Sequence, residues 1–263
     1  MKLQQVFDSI EVGKTDLEFL KTGFSFLDSE LDGGFLRKEL VVLGGFTGSG
    51  KSFLAGQILF NIAIQGFKTS YFSLEISNQM LISRLIGQQA NIKPIRILTG
   101  RLKEEEQKEK IEAKAKLFSS DACLNFYDDI YELSQISKQI KQDEVEFAVV
   151  DFVQNVFIKN MPDEYSRLTF VSLELQKLAK ETNSTVLLLS QLSNTAAKAG
   201  ANSGIVEYKG SGGIAQVADL GFWITRSEIN KVQLNLRKNR RGVSGLTFQF
   251  NIKSPGGLFE QTK

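Results

Sequence analysis

Residues 45–52 read Gly45-Phe46-Thr47-Gly48-Ser49-Gly50-Lys51-Ser52, a G-x-x-x-x-G-K-[ST] run between an apolar stretch ending at Leu43 and another from Ser52 to Gln65. No other feature of the chain restricts its folding as much. The glycines let the backbone wrap a phosphate, so that successive N–H groups and the N-terminus of the following helix converge on the anion. Lys51 then reaches the β and γ phosphates, and the Ser52 hydroxyl binds Mg²⁺. Gly45, Thr47, Gly48, Ser49, Gly50, Lys51 and Ser52 are therefore the expected ATP contacts. The geometry demands a strand, a tight loop and a helix in that order.

The rest of the chain supplies a sheet for that strand. Runs rich in β-branched or aromatic residues predict strands over Glu39–Leu43, Thr69–Leu74, Leu124–Tyr127, Phe147–Asp151 and Thr185–Ser190. Between them, Ser52–Gln65 is apolar almost all round, Ser77 can cap a helix to about Gln89, and Leu168, Val171, Leu175, Leu178 and Ala179 form a helical stripe. Alternating strands and helices imply crossovers and a mostly parallel sheet covered on both faces. After Leu220 the pattern turns to closely linked strands, over Leu220–Thr225, Lys231–Arg237 and Leu246–Ile252. These predict an antiparallel edge on the parallel core.

Composition narrows the chemistry. The 263 residues contain no histidine and one cysteine, Cys123, which excludes imidazole-based triads and cysteine-ligated zinc. Any catalysis must use carboxylates, Lys, Arg and a metal. The net charge of +2 argues for no nucleic acid in bulk, so only local clusters could bind one. No apolar stretch is long enough for a transmembrane helix, and the first residues lack a signal-peptide pattern, so a cytoplasmic location without membrane contact is expected.

Further candidates follow from their places on the strands. Asp151 closes the apolar run Val145–Val150, where a carboxylate can hold the metal's water shell. Glu75 closes the run before it and suits the attacking water, although it could instead begin the next helix. Gln191 follows Ser190 directly and could sense the γ phosphate or simply end a strand. Arg237-Lys238-Asn239-Arg240-Arg241 places four cations in five residues. Continued alternation would put Lys238 and Arg240 on one face, Arg237 and Arg241 on the other. Two stretches stand apart. Lys103–Lys116 reads as a solvated helix with Ile111, Ala115, Leu117 and Phe118 as its apolar side, and Thr195–Gly213 reads as a long mobile loop.

Taken in order, these features resemble the C-terminal motor domain of the DnaB-type replicative DNA helicases, over about Thr22 to Phe250. The landmarks are Thr22–Asp28, Phe72–Ser77, Val150–Gln154, Leu189–Ser193, Gly210–Ile214 with Ala218-Asp219, and Arg237–Gly245. The resemblance implies a RecA-like P-loop NTPase fold and a homo-oligomer, a hexameric ring with ATP between subunits. It makes Glu75 the catalytic carboxylate, Asp151 and Ser52 the metal side, and Gln191 the coupling glutamine. Lys238 and Arg240 match the pair that reaches the neighbour's γ phosphate. Single-stranded DNA is expected in the centre of the ring, held by backbone N–H groups around Lys209, Gly210 and Gly212, with a helicase loader or primase as further partners.

The family's N-terminal domain is expected to be absent, leaving residues 1–20 as a segment whose Leu3–Ile10 forms a linker helix and residues 21–263 as the ATPase domain. The alternative is a RecA-fold ATPase of the KaiC or RadA sort, with a regulatory or recombination role and no processive unwinding.

Overall fold

Four of the predicted strands are buried on both faces, and their residues divide cleanly between two cores. The computed structural model describes residues 18–119, 124–191 and 212–262. Strands β3 (Leu40–Gly45), β4 (Thr69–Ser73), β6 (Phe147–Asp151) and β7 (Thr185–Gln191) are parallel neighbours in a nine-stranded sheet of order β11-β10-β9-β8-β3-β7-β6-β4-β5, with β5 (Leu124–Tyr127) at one edge. Successive side chains point to opposite faces. Val41, Leu43, Tyr71, Phe147 and Val149 therefore enter one core, while Leu40, Val42, Phe72, Ala148 and Val150 enter the other.

Each core is closed by a helix. On the first side lies α2 (Lys51–Ala63), whose Leu54, Ala55, Ile58, Leu59 and Ile62 are buried; on the second lies α7 (Glu164–Thr182), with Leu168, Val171, Leu175, Leu178 and Ala179. Ser77 caps α3 (Asn78–Ala90) by accepting from the Met80 N–H, as its sequence position predicts. The antiparallel edge is present and one strand longer than expected. Strand β8 (Leu220–Glu228) pairs parallel to β3 and antiparallel to β9 (Lys231–Asn239), which leads to β10 (Thr247–Lys253) and then β11 (Leu258–Thr262).

Two details correct the sequence reading. In α5 (Glu104–Ser119) the inward positions are Ala113 and Leu117, which pack on Ile86, Ala90, Ile92 and Ile97, whereas Ile111 and Phe118 are exposed. The true stripe runs Glu106–Lys110–Ala113–Leu117 at helical spacing, with Glu106 paired to Arg96 at 2.7 Å. Its polar members concealed it. The expected loop Thr195–Gly213 also ends early, because Gly212 and Gly213 begin helix α8 (Gly212–Val217). The earlier part of that loop, with Lys209 and Gly210, lies outside the described residues, as do Cys123 and Leu3–Ile10.

Candidate nucleotide site and the opposite end of the sheet

The loop after β3 has the backbone its glycines permit. Gly48 and Gly50 take φ of +77° and +103°, a left-handed region closed to most side chains. Gly50 is also the N-cap residue of α2, and no side chain caps that helix. Its first N–H groups are thus directed at the cleft, an arrangement suited to an anion. Lys51, buried at 8% exposure, donates to the carbonyls of Gly45 (2.8 Å) and Phe46 (3.0 Å). Burial lowers its pKa, while nearby Asp151 and Glu75 act to raise it.

Asp151 ends β6 beside this lysine and is 2% exposed. Its Oδ2 accepts from the Tyr71 hydroxyl at 2.6 Å, and the Ser52 hydroxyl lies beside the carboxylate. Burial pushes the Asp151 pKa up, and the two hydroxyls, Lys51 and Arg84 offset part of that rise. This oxygen-only donor set suits a hard cation such as Mg²⁺. Among the described residues no group of three His, Cys, Asp or Glu could cage a metal, so an ion here would complete its shell with water and phosphate oxygens.

Glu75 and Gln191 join the same cleft, of about 280 Å³. Beyond β4 the chain bends, with Ser73 Oγ bonding the Ile76 carbonyl (2.6 Å) and Asn155 Nδ2 bonding the Leu74 carbonyl (2.9 Å). That bend leaves Glu75 exposed at the rim. Gln191 donates from Nε2 to Thr47 Oγ1 at 2.9 Å, linking the end of β7 to the phosphate loop. Its own N–H donates to Gln154 Oε1 at 3.3 Å.

Two cations of the cleft were missed from sequence. Arg84, on α3, lines it with the guanidinium 5.0 Å from the Phe53 ring centre. Arg226 lies two residues past Ile224, the partner of Gly45 on β8, and so projects over the loop. The strand's continuation beyond Thr225 was the available signal for Arg226. Arg84 offered none, being one cation on a mixed helix.

Lys238 and Arg240 stand at the other end of the sheet. Lys238 pairs with Gly221, which pairs with Val42; Arg240 donates its N–H to Asp219, whose own N–H bonds the Leu40 carbonyl. Arg240 is thus level with Leu40, five strand residues or ~16 Å from Gly45. That is more than an arginine side chain spans. Lys238 Nζ donates to the carbonyls of Ala215 (2.8 Å) and Gln216 (2.6 Å). Arg240 pairs with Asp219 Oδ1 (2.9 Å) and the Gln216 carbonyl (2.9 Å).

The two therefore converge, but the other half of the alternation fails. Arg241 turns to Glu39 at 3.0 Å and the carbonyls of Leu31 and Gly34, whereas Arg237 lies over Trp223, 5.3 Å from its ring, on the α7 and α8 side. A register shift between Gly221 and Phe222 inserts one residue into β9 and breaks the two-residue period.

A family model described as the DnaB-like helicase C-terminal domain matches residues 20–254. The chain belongs to that family. It is 31% identical over 258 residues to the replicative DNA helicase DnaB of Treponema pallidum, covering 92% of this chain and 58% of that protein. Against the replicative DNA helicase DnaC of Bacillus subtilis the identity is 26%, with 92% and 57% covered. The chain thus spans a little over half the length of these relatives.

Among solved structures, an isolated ATPase domain superposes with a TM-score of 0.87 at 22% identity, covering 99% of this chain and 97% of that one. A DnaB-like replicative helicase studied for its interactions with primase gives 0.85 at 22%, covering 99% and 66%. These likenesses match the RecA-like fold with its parallel core and antiparallel edge. No helix among the described residues is long and apolar enough to cross a membrane.

Proposed function

We propose that the chain is the motor of a replicative-type DNA helicase, hydrolysing ATP with Mg²⁺ between subunits of a homo-oligomeric ring, a hexamer, around single-stranded DNA. The observation that carries this reading is the separation of the two halves of the site. The cleft holds Lys51, Ser52, Asp151 and Glu75, while Arg240 lies ~16 Å from Gly45 toward the far end of the same sheet and Lys238 is turned with it onto the carbonyls of α8. Cations there can serve a phosphate only on another subunit.

Each residue then has a distinct task. The loop N–H groups and Lys51 bind and orient the triphosphate. Ser52 and Asp151 hold the Mg²⁺ shell, which neutralises charge on the phosphates. Glu75, at the wet rim, takes the proton of the attacking water. Lys238 and Arg240 of a neighbour stabilise charge on the transferred group, as arginine fingers do.

Gln191, bonded to Thr47 and followed directly by the segment that leads to Lys209, Gly210 and Gly212, relays the change to DNA held by backbone N–H groups. DNA binding of this kind is insensitive to sequence and weakens with salt. A primase or a loader fits as a further partner, and the cytoplasm as the location.

The test is ATP turnover with and without single-stranded DNA, followed by strand displacement on a forked duplex. Stimulation by DNA and unwinding are expected. Turnover indifferent to DNA would sink the helicase reading and favour a regulatory RecA-fold ATPase.

A further inference from the structure

Tyr71 is an interior residue of β4 with 0% exposure, and its place on the strand reads as core filling. Its oxygen has another use. In the pairing of β4 with β6, Tyr71 faces Val149 and Ser73 faces Asp151. Tyr71, Phe147 and Val149 all enter the α2-side core, and Asp151, two residues past Val149, projects from that same face. A tyrosine at this register is long enough to run two residues along the sheet, and its hydroxyl meets Asp151 Oδ2 at 2.6 Å. The Ser52 hydroxyl lies beside the same pair, so two hydroxyls gather around one buried carboxylate under the phosphate loop.

We propose that Tyr71 is a positioning residue for Mg²⁺, holding one oxygen of Asp151 so that the carboxylate presents a fixed face to the cation beside Ser52. The proposal rests on the nucleotide-binding reading above. The ring is wedged among core side chains and cannot follow the motions of the loop, so its donor is rigid. Phenylalanine would preserve the packing and leave a buried carboxylate oxygen without its donor. Asp151 would then be free to swing away from the face it presents to the metal shell. Loss of an outer-shell partner of this kind weakens metal binding by roughly ten-fold or more.

The experiment measures the affinity of the full chain for a fluorescent ATP analogue in Mg²⁺ and in EDTA. Tyr71→Phe and Tyr71→Met both remove the hydroxyl but pack differently, and melting curves are recorded for each. In the parent chain Mg²⁺ should tighten binding. In both variants that tightening should shrink by roughly ten-fold, with affinity in EDTA unchanged. A parent-like Mg²⁺ effect in either folded variant overturns the proposal. So does a loss that follows the drop in melting temperature rather than the missing hydroxyl, or failure of both variants to fold, which would make the hydroxyl structural. A parent that binds no nucleotide defeats the ATPase reading itself and takes this proposal with it.

Discussion

The two ends of the central sheet solve opposite electrostatic problems. At the phosphate-loop end, Asp151 and Lys51 are nearly buried, and the protein supplies them with hydroxyls and carbonyls in fixed positions. At the other end, Arg240 is nearly half exposed and, with Lys238, rests on carbonyls at the close of α8. On the proposed function, one end is a preorganised receptor and the other a pair of cations parked until a neighbour's phosphate draws them off. Asp219 defines the parking place, since it pairs with Arg240, accepts the Leu40 N–H at 2.9 Å and receives Gln176 at 3.0 Å.

The largest contrast between the two ends should appear in hydrolysis set beside binding. Lys51→Ala should lower hydrolysis at least about a thousand-fold and weaken nucleotide binding as well. Arg240→Ala should lower hydrolysis by roughly a thousand-fold yet leave nucleotide affinity intact. Steady-state turnover beside equilibrium binding separates the cases. If Arg240→Ala also lost affinity for nucleotide as an isolated subunit, the two ends would not be independent.

A smaller effect should come from the anchor. Asp219→Ala takes a carboxylate from a half-exposed arginine and strands the buried Leu40 N–H, at a cost of roughly 2 kcal/mol. Denaturant unfolding should show it. Asp219→Asn, which keeps hydrogen-bonding capacity, should lose less.

The gentlest contrast is with pH. Glu39, beside Arg241 at the cation end, is pushed by burial from its ordinary 4.5 to about 7, although Arg241 acts to lower it. Between those values the folded chain keeps a proton that the unfolded chain has released. The contribution of this group to stability is therefore fully present below pH 4.5 and is lost as pH rises to 7, by up to roughly 3 kcal/mol. Glu39→Gln should flatten that slope in melting curves taken across the interval.

The phosphate-loop end was much the more legible in sequence. Strand Phe147–Asp151 runs to the predicted residues, because doubly buried strands appear as unbroken apolar runs ending at a polar residue. Chemistry at their ends is therefore marked by contrast, as Asp151 and Gln191 are. Tyr71 carried no such mark, since a tyrosine inside an apolar run looks like packing until its register with Asp151 is known. Asp219 stands out in sequence only through the family resemblance; its role depends on Arg240 and on Leu40, the latter far away in sequence.

Other elements were missed for local reasons. The two-residue strands β1 (Phe19–Leu20) and β2 (Phe35–Leu36) have no periodicity to read. Helix α6 (Leu133–Gln142) did carry a stripe, Leu133, Ile136 and Ile140, which its many polar residues diluted. Strand β11 is fixed from outside, by Gln57 bonding both the N–H and the carbonyl of Phe259.

The central claim is that the cleft of one subunit is completed by the cations of the next. Mixing Arg240→Ala with Lys51→Ala subunits tests it directly, since each is inactive alone and each retains the half the other lacks. Recovered ATP turnover on mixing is the predicted result. Persistent inactivity in mixtures shown to contain both subunits in one assembly would contradict it.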